Sequence, residues 1–251
     1  MQMQQQSTPS RFARKTLFVG LAVYTAFLVI VELSTSQDFV RHFFTDIEGP
    51  VPFFAVNTTL SVFLLWSTAL LFLVCFAILG EGVVPLRVRW FYASQVAVFA
   101  FLGFDDRFKV HERLGEWFDM GDHYVLVAVA VAQCGFLTIL GGRTVLHGAA
   151  LKCLGLASVL FALMLVVDAR FPHDLTLRLS LEDLAKTWAC LFFLLFAWSH
   201  LSEQMRPILD AYRRTQVQDS AVPMGGDASD NHSSKELSAQ KSDHSLQPSL
   251  G

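Results

Sequence analysis

Long uninterrupted apolar runs dominate the chain, and their spacing predicts helices that cross a bilayer. A span takes about 20 mostly apolar residues, with about 17–25 tolerated. Six runs meet or approach that length. The first covers residues 16–33 and follows Arg11, Arg14 and Lys15. The second, 56–79, carries no charge. The third opens near Pro85 and is uncharged over 90–104. Proline suits a first helical turn, where its missing N–H has no partner to lose. The fourth run is 123–140. The fifth is 149–167, with Lys152 in its first turn. The sixth is about 183–201, with Lys186 one turn inside.

Polar segments bracket these runs. Residues 215–251 are rich in Ser, Asp, Gln and Gly and hold few large apolar side chains. Such a composition cannot bury enough surface to offset chain entropy, so a disordered tail is expected. The pattern gives a polar N-terminus over 1–15, a transmembrane domain over 16–214 and the tail over 215–251. Run 16–33 is long for a signal-peptide core, and Ser34-Thr35-Ser36 is a weak cleavage site, so it is read as a retained span.

Basic residues orient such a protein. With the N-terminus inside, ten lysines and arginines flank the spans on the inner side, and seven flank them on the outer side. The cluster at Arg11, Arg14 and Lys15 is the strongest. Both termini are therefore expected to be cytoplasmic. The fold class is all-α: a polytopic membrane bundle of six transmembrane helices in an inner or plasma membrane.

Composition agrees with the pattern. Hydrophobic residues make up 53% and charged residues 16%, against about 25% charged in a soluble domain. The net charge of −3 gives no basis for nucleic acid as a partner; membrane lipids are the expected one. The four cysteines lie in apolar runs without a CxxC, and are read as small hydrophobes.

The acids are far more lopsided than the bases. Only Glu81, Glu203 and Asp210 fall near the helices on the inner side; the remaining helix-proximal carboxylates fall on the other face. Acids do little to set topology, so this outer cap asks for another explanation. Its densest stretch is Asp105-Asp106-Arg107-Phe108-Lys109-Val110-His111-Glu112, at the end of the third span. If the helix continued through it, Asp105 and His111 would lie on different faces. Asp105 and Glu112 would stand about 10.5 Å apart along the axis. Further ligands would have to come from other helices. Asp168 ends the fifth span, with His173 beyond it, and Glu182 opens the sixth.

Imidazole beside carboxylate suits zinc, iron or manganese, and a catalytic zinc needs only three protein ligands plus water. A metal held by His111, Glu112, Asp168 and His173, with Asp105, Asp106 and Glu182 in acid–base roles, would activate water for hydrolysis. Depth in the membrane matches for Asp105, Asp106, His111, Asp168 and Glu182, so these are expected to share one outward pocket. The competing reading is structural. Asp168 can pair with Arg170 or Lys186, Asp105 and Asp106 with Arg107 or Lys109, and Glu182 with Lys186 in the favourable i,i+4 order.

Two amides, Gln95 and Gln133, sit mid-span on antiparallel neighbours and are expected to bond each other. No charged side chain lies near the midplane of any run, which argues against an ion pump or coupled transporter. Asn57-Thr58-Thr59 matches a glycosylation acceptor but falls in the first turn of a span. GxSxG, HExxH, P-loop and Rossmann motifs are absent.

The run from Asp105 to Glu112 resembles an Asp-Asp-x-Phe-x-x-His-Glu segment of uncharacterised bacterial multi-pass membrane proteins. That resemblance implies a fold and no activity. More distantly, the chain is similar to ceramidase-like membrane hydrolases, which use Ser, Asp and three His around zinc. Those carry a seventh helix and a terminal His-x-x-x-His pair, where this chain has His200 alone. The expectation is a membrane protein with an outward Asp/Glu/His site acting as a metal-dependent hydrolase. The alternative is a non-enzymatic sensor, or a component that docks a protein partner through its acidic outer face.

Overall fold

Each apolar run becomes a helix. The computed structural model describes residues 9–44, 51, 55–79, 85–121, 123–141, 148–172, 175 and 177–220, and every element among them is helical. In chain order these are α1 (Pro9–Ser34), α2 (Gln37–Phe44), α3 (Val56–Ile78), α4 (Leu86–Phe108), α5 (Val110–Phe118), α6 (His123–Phe136), α7 (Gly148–Arg170) and α8 (Arg178–Ser220). A π-helical turn, Leu137–Gly141, closes α6. The chain divides into two compact units, Met1–Ile208 and Leu209–Gly251. Every residue of the candidate site belongs to the first. The predicted tail begins inside α8, which stays helical to Ser220; residues 221–251 lie outside the described ones.

Among the described residues, five helices are long and apolar enough to cross a membrane: Arg14–Ser34, Val56–Ile78, His123–Gly141, Gly148–Arg170 and Arg178–Gln216. Helix α4 is as long as α3 and α7, at 23 residues, or about 34 Å. Its composition sets it apart, since Arg87, Arg89, Ser94, Gln95, Asp105, Asp106 and Arg107 all lie on it. Of these, Gln95 and Asp105 are buried, and both are hydrogen-bonded to other elements.

Helix α8 is the central one: 61% of its most apolar window is buried, against 17% for α1 and for α6. Lipid-facing helices need no sharp amphipathic pattern, since both lipid and core accept apolar side chains. Packing is therefore fixed by shape and by scattered polar groups. Phe72 of α3 stacks on Phe99 of α4 at 5.8 Å and meets Phe196 of α8 edge-on at 5.4 Å. Gly103 lets α3 approach α4. A Cβ there would stand 2.5 Å from the Trp66 ring and 3.3 Å from the Leu65 Cβ.

Polar ties also link the helices along their lengths. Trp188 Nε1 donates to Thr25 Oγ1 at 2.9 Å, joining α8 to α1. The Gln95 and Gln133 amides bond each other reciprocally at 2.6 and 3.4 Å, joining α4 to α6 as the sequence predicts. Described cysteines Cys75, Cys134, Cys153 and Cys190 are all free thiols.

Candidate functional site

Helix α4 does not continue through the Asp-Asp-x-x-x-x-His-Glu stretch. Lys109 adopts a left-handed conformation, φ 52°, and caps α4 through its N–H to the Asp105 carbonyl at 2.7 Å. This break overturns the helical-wheel expectation that Asp105 and His111 face apart. The chain turns, and Asp105 accepts the His111 backbone N–H at Oδ1, 2.7 Å, while its Oδ2 lies 2.9 Å from His111 Nδ1. Protonated at Nδ1, the ring donates to it. Asp105 is only 3% exposed, so these bonds supply what water would otherwise give the carboxylate.

Asp106 points to the centre of the bundle. It accepts Lys186 Nζ at 3.0 Å from α8 and the Ser61 hydroxyl from α3. Lys186 also reaches Asp183 at 3.1 Å. One half-buried ammonium thus holds two carboxylates from different helices. A polar ladder continues beside it. Thr187 Oγ1 lies 2.9 Å from Asn57 Oδ1, and Asn57 Nδ2 donates to the Asp183 carbonyl at 3.3 Å. Asn57 is fully buried, so the glycosylation match has no accessible amide.

A second node is Arg178, at the start of α8 and 5% exposed. It donates to the Asp168 carboxylate and carbonyl at 3.0 and 3.2 Å. Its other terminal nitrogen lies 3.2 Å from Glu182 Oε2. That contact has ion-pair distance without hydrogen-bond alignment, and Glu182 Oε2 accepts no hydrogen bond among the described residues. Glu32, from the end of α1, closes the start of α8. Its carboxylate accepts the Leu177 N–H at 2.8 Å and the Ser180 hydroxyl. A carboxylate at a helix N-terminus meets both unpaired N–H groups and the positive end of the helix dipole. It also holds Leu177 at φ 66°.

The sequence-based pairings are therefore corrected. Asp168 pairs with Arg178, Glu182 also faces Arg178, and Lys186 takes Asp106 and Asp183. Lys109 pairs with Glu112 at the surface, at 2.9 Å. Asp106, Asp168, Glu182 and Asp183 each face a cation on a neighbouring element or one turn away, and the partner was decided by helix rotation.

These groups border one cavity of about 240 Å³. Asp105, Asp106, His111, Glu112, Asp168 and Glu182 all line it, together with Asp183 and Lys186. His173 lies outside the described residues. Leu65, Leu102, Leu126, Phe161, Met164 and Phe193 form the apolar part of the lining, and most of these sit at least a turn further along their helices than the charged groups. Among the described residues, no three His, Cys, Asp or Glu side chains come close enough together to hold a metal ion. The carboxylates instead turn toward Lys186, Arg178 and His111.

The sequence places Glu32 on the acidic face and offers Lys186 as an ion-pair partner, but Asn57, Ser61 and Arg178 were missed as parts of this network. The signal for α3 was present: Asn57, Ser61 and Thr68 recur on one face of an uncharged run, and all three are buried.

Residues 16–201 match the family described as Domain of unknown function (DUF8692), and the chain belongs to that family. No curated protein and no solved structure matches the chain. The all-helical architecture and the five long apolar helices point to a membrane protein.

Proposed function

We propose that this chain is a multi-pass membrane protein of six spans, α4 included, and that it works as a ligand-binding sensor at the membrane surface. Support for the sixth span comes from the polar ties. The ends of α1, α4 and α7 bond to the starts of α3 and α8, as they would in helices that alternate in direction through a bilayer. The basic cluster at Arg11, Arg14 and Lys15 puts both termini in the cytoplasm and the cavity on the outer face.

The observation that carries the functional reading is the cavity itself. Its lining includes six carboxylates, Asp105, Asp106, Glu112, Asp168, Glu182 and Asp183, against the cations Arg107, Lys109 and Lys186. Arg178 adds a fourth cation beside them. The field therefore favours a cation, and the apolar lining favours a short hydrocarbon attached to it. An apolar cavity of about 150 Å³ already holds a benzene-sized molecule, so 240 Å³ suits an organic ammonium of modest size. Glu182 Oε2, without a hydrogen bond, is the acceptor such a group would take.

The test is thermal unfolding of the purified full chain with alkylammonium ions, and separately with zinc and manganese. Alkylammonium should raise the midpoint, and Glu182→Gln should remove the rise. Stabilisation by a metal that is lost in His111→Ala would replace this reading with the metal-dependent hydrolase, His173 then supplying a ligand. A midpoint unmoved by every probe would sink both.

A further inference from the structure

Two short amphipathic helices lie at the charged end of the first unit, and their apolar faces meet different surroundings. In α2, Val40 is 0% and Phe44 is 3% exposed, covered by Leu28 of α1 and Leu184 of α8. In α5, Val110, Leu114, Trp117 and Phe118 share one arc of the helical wheel, because steps of 100° bring i, i+4, i+7 and i+8 together. Glu112 lies on the opposite side and lines the cavity; buried Gly115 lies between, and His111, which also lines the cavity, sits at the edge of the arc beside Phe118. That arc is covered only in part: Val110 and Leu114 are half-buried, but Trp117 is 80% and Phe118 66% exposed, and Met120 follows at 46%.

We infer that α5 is an interfacial helix, embedded by Trp117 and Phe118 in the lipid headgroup and acyl boundary of the membrane that the long helices cross. This rests on the membrane-spanning reading and is independent of what the cavity binds. Three observations select lipid as the occupant. First, α5 joins α4, which ends at Phe108, to α6, which starts at His123, so it must lie at the level where those helices leave the bilayer. Second, the helices on either side of it expose apolar side chains at their adjoining ends, Phe104 and Phe108 on α4 and Tyr124 and Val127 on α6. Third, the rest of the wheel is charged: Arg113 is exposed at the edge of the arc, and Glu112 and Glu116 lie on the side opposite it. A narrow apolar face with aromatic residues and a charged opposite face is the pattern of a helix lying in the interface plane, where Trp is enriched.

The consequence concerns the cavity. Lys109 and Asp119, both at positive φ, bound α5, and the Asp105 bonds to His111 tie it to α4. Lipid on one side of α5 and the cavity on the other make this helix the wall between them. Anchoring of Trp117 and Phe118 then positions His111 and Glu112.

Trp117 is its own reporter. The full chain is reconstituted in phosphatidylcholine vesicles brominated either near the ester or near the chain end, and the emission lost on Trp117→Phe is isolated by difference. That component should be quenched more by bromine near the ester. Adding Phe118→Trp to the Trp117→Phe chain should restore it. If the Trp117 component escapes both lipids while the remaining tryptophans are quenched, α5 does not lie in the interface and the inference is overturned. If no tryptophan is quenched, the membrane-spanning reading fails and takes this one with it. Stronger quenching of the Trp117 component from the chain end would also overturn it, by placing α5 below the interface.

Discussion

The two halves of the helix bundle are held together by different physics. At one end, Lys186, Arg178, Asp105, Asp106, Asp168 and Asp183 lock helices through pairs at 2.7–3.2 Å. In the other half, Phe72, Phe91, Tyr92 and Phe196 pack around the buried His200 ring, with centroids 4.9–5.9 Å away. The charged end depends on the identity of each partner, because a buried charge without its counter-ion is very costly. The aromatic half depends on volume, because dispersion contacts fall away quickly across small gaps. A substitution that conserves shape is therefore expected to be severe in the first region and mild in the second.

The largest effect should come from Lys186→Met. It keeps much of the side chain's bulk but leaves Asp106 and Asp183 facing each other without the ammonium, which is expected to cost about 3–5 kcal/mol. Unfolding of purified protein in mild detergent measures this. Adding Asp106→Asn should recover part of the loss, because one of the two charges is then gone. A Lys186→Met chain as stable as the parent would show that water or another cation serves these carboxylates.

Phe72→Ala probes the other half and is expected to cost about 3 kcal/mol, through lost burial and the cavity left among Phe91, Phe99 and Phe196. The same denaturation reads it. Its size should not change with salt, and a salt-sensitive loss would blur the contrast between the halves.

Gly103→Ala tests the α3–α4 approach that both halves share. The added methyl runs into Trp66 and Leu65, for a cost of about 2 kcal/mol. Pairing it with Trp66→Ala should relieve most of that, and an unrelieved loss would mean that the helix backbones themselves clash.

The smallest effect is at the amide pair between the halves. Gln133→Leu leaves the buried Gln95 amide without its partner, which should cost about 1 kcal/mol. Gln95→Leu together with Gln133→Leu should be close to neutral, since no polar group is then stranded. A double variant weaker than Gln133→Leu alone would mean that the pair is needed to set the α4–α6 register.

What could be read from the sequence follows from what period and composition encode. Helix existence was legible because membrane-length apolar runs have few other solutions: a backbone in lipid must satisfy its own hydrogen bonds. The Gln95–Gln133 pair was legible because two mid-depth amides in lipid have few other acceptors. Common depth also brought Asp105, Asp106, His111, Asp168 and Glu182 to one cavity lining. The partners were not legible. An all-apolar helix carries no mark of which face turns inward, so the choice of Arg178 for Asp168, or Lys186 for Asp106, was left to helix rotation. Nor was the turn at Lys109, a non-glycine residue held at φ 52°, which folds His111 back onto Asp105. The sequence by itself determined the helices, their rough lengths and the clustering of acid at one end, because burial in lipid and the position of helix ends are local properties. The tertiary structure alone decided which charges meet, because a pair is made by two helices and neither contains the information for the other's rotation.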